Sequence, residues 1–80
     1  MKIEIMGPGC SKCQTLAANA RMAAEGLGLD YELVKVTDLR EIIKRGVVLT
    51  PALAIDGVVK SSGQVLGETE ITVLLTSAGA

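Results

Sequence analysis

Histidine is absent from this 80-residue chain, and large aromatic side chains are nearly so: there is no Phe or Trp and a single Tyr. Without histidine neither a Ser-His-Asp triad nor a Cys-His pair can form, which excludes the common hydrolase and cysteine-protease chemistries. The core must therefore be built from aliphatic side chains and Met. A chain of this length is expected to form one domain, residues 1–80.

An excess of charge of either sign is also missing. Eight Lys and Arg residues stand against nine Asp and Glu residues, and the basic residues are spread along the chain. We therefore expect no nucleic-acid partner and no membrane partner. The sequence contains no signal-peptide core, no membrane-spanning apolar run, no P-loop and no Gly-x-Gly-x-x-Gly run. These absences predict a cytoplasmic protein.

The chain has only two cysteines, Cys10 and Cys13, in the run Gly7-Pro8-Gly9-Cys10-Ser11-Lys12-Cys13. The run follows an alternating segment at residues 2–6 and precedes an Ala-rich helical pattern, so it lies where a strand turns into a helix. A helix start has unpaired N–H groups and partial positive charge, and both favour a thiolate. Thiolates attack disulfides and bind metals, so this pair is the candidate reactive site.

Three interpretations of the cysteine pair remain open at this point. A redox dithiol would cycle between two thiols and one disulfide, whereas a structural disulfide or two inert thiols would have no chemistry. A reducing cytosol favours a redox dithiol over a structural disulfide or inert thiols. A carrier of monovalent copper or of zinc would use the same two thiolates, but the chain offers no histidine or further cysteine to complete a zinc site. For a redox dithiol no metal or other cofactor is expected, because the two sulfurs carry both electrons.

Apolar periodicity and turn residues predict an α/β domain with the order βαβαββα: a four-stranded mixed sheet flanked by three helices. Two strands joined by the first helix imply a parallel pair with a right-handed crossover. Asp56-Gly57, whose residue types tolerate positive φ, predicts an antiparallel hairpin of the third and fourth strands. The predicted strands are residues 2–6, 31–36, 52–55 and 58–61, and the predicted helices are residues 11–26, 38–46 and 68 onward.

Each predicted helix has an apolar face that should lie against the sheet. Asp38 followed by Glu41 is a capping-type signal for the second helix, and Glu41 and Arg45 are spaced as an i,i+4 ion pair. The predicted core-facing side chains are Leu16, Ala20, Ala23 and Leu27 in the first helix, Leu39, Ile42 and Ile43 in the second, and Ile71, Leu74, Leu75 and Ala78 in the third.

This order, with Cys-x-x-Cys at the start of the first helix and Thr50-Pro51 before the third strand, resembles the short form of the thioredoxin fold. The match is to small thioredoxin-like or glutaredoxin-like redox-active disulfide proteins of archaea and bacteria, and it extends over nearly the whole chain. Its most specific parts are residues 7–13, residues 47–53, and the Asp56-Gly57 hairpin followed by Gly63.

The resemblance implies an enzyme, a small thiol–disulfide oxidoreductase that reduces disulfides in partner proteins. Cys10 would be the attacking thiolate and Cys13 the resolving thiol. Thr50 and Pro51 would be joined by a cis peptide bond facing the cysteines, where the backbone of Thr50 pairs with an extended segment of the partner. A flavin-dependent reductase of the thioredoxin-reductase type, or a small thiol, would restore the dithiol. We expect the protein to be a monomer.

Two charged residues are candidate modulators of the dithiol. Glu4 stands six residues before Cys10, the spacing at which thioredoxins hold a buried acid that takes a proton from the resolving thiol. The alternative for Glu4 is a position near the sheet edge and an ion pair with a lysine. Lys12, between the cysteines, could lower a thiol pKa or attract an acidic partner; alternatively it is a solvated lysine with little effect.

Overall fold

A mixed four-stranded sheet forms the centre of the molecule, which the computed structural model describes over residues 1–77. The predicted order βαβαββα is confirmed. Ala78 of the predicted third helix face, together with the last two residues of the expected domain, lies outside the described residues. The strands are β1 (Lys2–Met6), β2 (Glu32–Val36), β3 (Ala52–Ile55) and β4 (Val58–Ser62), and the helices are α1 (Ser11–Gly26), α2 (Leu39–Lys44) and α3 (Glu68–Ser77).

The strand order across the sheet is β2-β1-β3-β4. β1 pairs with β2 in parallel, as the βαβ prediction requires, and β3 is antiparallel to both β1 and β4. The β3–β4 hairpin turns at Asp56 and Gly57, which have φ values of +49° and +86°. Both central residues of this two-residue turn therefore have the positive φ that the Asp-Gly signal predicts. β1 is an interior strand, so the loop that follows it begins between β2 and β3.

The two faces of the sheet are covered unequally. Side chains alternate along each strand, so Ile3 and Ile5 of β1 lie against α1 and α3, while Met6 lies on the face that α2 covers. The cluster of buried side chains on the α1 and α3 face is the larger of the two, and it includes Leu16 of α1 and Leu75 of α3. Within residues 1–77 no helix is long and apolar enough to cross a membrane.

The predicted apolar faces need two corrections. In α2 only Ile42 is buried, whereas Leu39 and Ile43 are 66% and 62% exposed, because a helix of six residues presents little more than one turn to the sheet. Leu27 is also exposed, because α1 ends at Gly26 and Leu27 caps it outside the packed face. In α3 the prediction is confirmed for Ile71 and Leu75, and Leu74 packs partly buried against the same cluster.

Candidate dithiol site

The two cysteines lie at the junction between β1 and α1, as predicted. Cys10 is the residue immediately before the helix, with extended backbone (φ −70°, ψ 172°), and its carbonyl accepts a hydrogen bond from the Gln14 N–H at 3.0 Å. Cys13 is in the first turn of α1. One turn of helix between the two residues brings their side chains to the same face, with the sulfur atoms 3.2 Å apart.

The surroundings of the two sulfurs differ in exposure and in charge preference. Cys10 is exposed, whereas Cys13 is 5% exposed. The hydrogen bond from the Cys13 thiol lowers the pKa of Cys10, and the backbone N–H groups of Cys13 and Lys12 act in the same direction. Burial raises the pKa of Cys13, and the neighbouring Cys10 sulfur raises it further. Cys10 is therefore both the sulfur that ionises first and the one that a partner can reach.

Gly7 lets the buried sulfur approach the backbone at the end of β1. A Cβ atom on Gly7 would overlap Cys13 Sγ and would lie 3.6 Å from the Cβ of Thr50. Cys13 and Thr50 therefore flank the same short piece of backbone. The Thr50–Pro51 peptide bond is cis, which confirms the prediction made from the resemblance.

The segment before Pro51 is fastened to the end of β4. The Gly63 N–H donates to the Pro51 carbonyl at 2.9 Å, and the Ser62 hydroxyl donates to the Leu49 carbonyl at 2.8 Å. These bonds fix the loop of residues 47–51 relative to the sheet, since β4 is itself paired with β3. The wall beside the dithiol is thus held by one backbone hydrogen bond and one from a side-chain hydroxyl.

An apolar groove of about 530 Å³ extends from this wall to α2, and we call it the docking groove. Leu39 and Ile43 of α2, which the sequence analysis wrongly assigned to the core, line this groove instead. Val48, which also lines it, is 90% exposed. The residues that define the groove here are Pro8, Leu39, Ile43, Val48 and Thr50.

Glu4 is buried, but neither of the two sequence interpretations describes its surroundings fully. It lies on the interior strand β1, so the expected place near the sheet edge is wrong. Its partner is Arg45 rather than a lysine: two guanidinium N–H groups donate to the carboxylate at 2.8 and 2.7 Å. These hydrogen bonds lower the pKa of Glu4, although burial opposes them. A carboxylate so bound is a weak proton acceptor.

Arg45 and Lys35 lie near the site in positions that the sequence did not reveal. Arg45 was predicted only as the i,i+4 partner of Glu41, a contact that is present at 3.8 Å. No spacing rule connects Arg45 to Glu4, which is 41 positions away. Lys35 looked like an ordinary polar residue of a strand, yet it lines a cleft with Cys13. Lys12 is exposed, and its role stays a prediction.

The metal-carrier interpretation has no support. Within the described part of the chain, no group of three or more His, Cys, Asp or Glu side chains could hold a metal ion.

Two thiols 3.2 Å apart can exchange two electrons with a partner by closing and reopening one S–S bond. The fold and the dithiol together define a thiol–disulfide oxidoreductase, a disulfide-reducing redox protein. A family model described as a thioredoxin domain matches residues 1–76, and the chain belongs to that family.

Two archaeal relatives are similar over most of their length. The chain is 42% identical over 76 residues to a thioredoxin of Methanothermobacter thermautotrophicus, covering 95% of this chain and 99% of the relative. It is 44% identical over 69 residues to a thioredoxin of Methanocaldococcus jannaschii, covering 86% of this chain and 79% of the relative. The redox interpretation and the short thioredoxin-like fold are thereby confirmed.

Proposed function

We propose that Cys10 and Cys13 carry the disulfide reduction, with Cys10 as nucleophile and Cys13 as resolving thiol. The Cys10 thiolate attacks one sulfur of a target disulfide, forming a Cys10–target S–S bond and releasing the other target sulfur as a thiolate. The Cys13 thiolate then attacks Cys10 Sγ, closing the Cys10–Cys13 bond and releasing the second target thiolate. The observation that supports these roles most directly is the contrast between an exposed and a buried sulfur 3.2 Å apart.

The target segment next to the attacked disulfide would lie along Thr50 and Pro51, with an apolar side chain in the docking groove. Thr50 lines the groove and also lies beside Cys13, so the groove is continuous with the dithiol. Its walls are aliphatic, which suits an extended apolar segment better than a charged one. The expected partners are therefore proteins with an accessible disulfide flanked by apolar residues.

The Cys10–Cys13 disulfide must be reopened after each cycle by two electrons from outside the protein. A flavin-dependent reductase of the thioredoxin-reductase type is the proposed donor, with a small thiol as the alternative. Assays that supply each donor separately distinguish the two. The proposed donor is the one with which a small amount of the protein reduces many equivalents of a target disulfide. The cytoplasmic location and the monomeric state stay predictions.

Replacing each cysteine separately tests the two roles. With dithiothreitol as electron donor, Cys10→Ser should reduce insulin disulfides no faster than the donor alone, because the exposed nucleophile is lost. Cys13→Ser should also fail to turn over, but it should accumulate a covalent complex with its target that a reducing agent releases. Electrophoresis without reductant detects that complex. Full activity of Cys10→Ser, or a stable complex formed by Cys10→Ser instead, would show that the roles are assigned wrongly.

A further inference from the structure

Gly7, the residue after β1, is buried, and its backbone conformation does not explain why it is a glycine. Its φ lies outside the left-handed region, in contrast to Gly9 with a φ of +89°, so any residue is able to adopt the Gly7 backbone. What this position requires is space. A Cβ atom on Gly7 would overlap Cys13 Sγ, whereas a Cβ atom on Gly9 would have no atom within 4 Å.

The backbone at this contact is held in place by the sheet. The Gly7 N–H donates to the Val36 carbonyl at 2.9 Å, and the preceding residue, Met6, is paired with both β2 and β3. A Cβ atom on Gly7 would also lie 3.6 Å from Thr50 Cβ and 3.6 Å from Cys13 Cβ, which is ordinary van der Waals contact. An added methyl group would therefore conflict with the Cys13 sulfur alone.

The Cys13 sulfur is able to leave this contact by rotation of its own side chain. A cysteine has a single rotation, about the Cα–Cβ bond, with staggered positions about 120° apart. Because α1 fixes the Cys13 backbone, another staggered position carries Sγ away from its present place, 3.2 Å from Cys10 Sγ. A side chain at position 7 would thus exclude the Cys13 sulfur from the place where it faces Cys10.

We propose that Gly7 is a positioning residue for the resolving step, because its lack of a side chain keeps open the place from which Cys13 Sγ attacks Cys10 Sγ. In that step the Cys13–Cys10 bond forms, and the Cys10–target bond breaks with its electron pair on the target sulfur. The closed disulfide needs the same sulfur position, whereas the dithiol does not. Gly7 therefore speeds resolution and also stabilises the disulfide relative to the dithiol. This inference rests on the proposed roles of the two cysteines.

A neutral chromogenic disulfide, dithiodipyridine, separates the two steps in a single turnover. Attack by Cys10 releases the first thiopyridone, and attack by Cys13 on Cys10 Sγ releases the second. Gly7→Ala should slow the second release about ten- to hundredfold at every pH, because the reacting sulfur is displaced.

The first release should respond to Gly7→Ala in a different way. The hydrogen bond from the Cys13 thiol lowers the pKa of Cys10, and a displaced Cys13 sulfur no longer makes that bond. The first release should therefore be slower near neutral pH. At a pH where Cys10 is fully ionised, it should be at least as fast as in the unsubstituted protein.

The redox equilibrium provides a second measurement, and α1 provides the control. In Gly7→Ala the equilibrium with a reference dithiol should shift about tenfold toward the reduced protein, which is about 30 mV for a two-electron couple. Gly26→Ala adds the same methyl group at an exposed position of α1, where a Cβ atom would have no atom within 4 Å. It should leave both releases and the equilibrium unchanged.

A double variant tests the contact itself and serves even if Gly7→Ala alone does not fold. Without Cys13 Sγ, the remaining neighbours of the added methyl group lie at 3.6 Å, so Gly7→Ala with Cys13→Ala should be as stable to urea as Cys13→Ala. If Gly7→Ala lowers the urea midpoint equally with and without the sulfur, the methyl group conflicts with something other than Cys13 Sγ, and the inference fails.

The kinetic outcomes distinguish the inference from the proposed function. An unchanged second release together with an unchanged equilibrium in Gly7→Ala would overturn the inference. Equal slowing of both releases at a pH where the thiols are ionised would also overturn it, because the whole loop would then be disturbed. Loss of the first release in Cys13→Ser, with its retention in Cys10→Ser, would instead overturn the proposed roles of the cysteines.

Discussion

Cys10 and Cys13 have identical side chains, and only their surroundings make them chemically different. The thiol of Cys13 stabilises a negative charge on Cys10, while burial disfavours a negative charge on Cys13 itself. Cys10, at the surface, is therefore the thiol that ionises more readily, and Cys13 is the one that holds its proton more tightly. The resolving step then depends on how readily the buried thiol can lose its proton, which is a property of the residues around it.

The pairing of Glu4 with Arg45 should make stability depend on acid pH. The pKa of Glu4 is lowered in the folded protein from its usual 4.5, so the folded state binds this proton less tightly than the unfolded state. The resulting stabilisation is complete above the unfolded value and is lost as pH falls through the lower folded value. Glu4→Gln should be less stable by about 1–3 kcal/mol at neutral pH, because Arg45 keeps only part of its bonding. Urea unfolding measures this difference.

The pH series supplies the control for that prediction. The gap between Glu4→Gln and the unsubstituted protein should narrow at acid pH, once the carboxyl is protonated in the latter. Glu32→Gln, at an exposed glutamate of β2, should change stability by only a few tenths of a kcal/mol. A gap that stays constant down to the lowest pH at which the protein folds would contradict an ionised Glu4.

At the scale of elements, α2 and the loop after it form the surface that a target would meet. Val48→Ser should raise KM for a protein disulfide about two- to tenfold, because the docking groove loses apolar contact area. The rate with dithiodipyridine should not change, since that probe is too small to fill the groove. Val73→Ser, at an exposed valine of α3, is the matched control and should leave both rates unchanged. Equal effects of the two substitutions would show that the groove does not bind targets.

The elements themselves were largely predictable because their signals are local. Asp38 is the α2 N-cap, with its carboxylate accepting the Arg40 N–H at 2.9 Å, and Asp56-Gly57 forms the predicted hairpin turn. Long-range features were not predictable in this way. Leu39 and Ile43 have the spacing of core residues, and only the shortness of α2 against the sheet leaves them exposed. The Glu4–Arg45 pair arises from tertiary packing, for which a single sequence has no periodic signal.

On the scale of the whole molecule, the dithiol lies at the edge of the larger of two clusters of buried side chains. The α1 and α3 side of the sheet holds most of the buried side chains, and Cys13 belongs to the first turn of α1. The α2 side has a smaller cluster around Met6 and Ile42. The dithiol therefore lies beside the larger buried cluster, while the docking groove lies on the side of the smaller one.

This asymmetry predicts where the molecule opens. Amide hydrogen exchange should show that α2 opens about 1–3 kcal/mol more easily than β1, β3 and α1, because Ile42 is the one buried side chain within the helix. The opening of α2 should depend weakly on urea, as a local event exposes little surface, whereas exchange in β1 should follow global unfolding. In the covalent complex of Cys13→Ser with a target, α2 should become better protected, since the target covers Leu39 and Ile43. Equal opening energies in α2 and β1 would contradict the prediction that α2 opens easily. Unchanged α2 protection in the complex would contradict the prediction that a bound target stabilises α2.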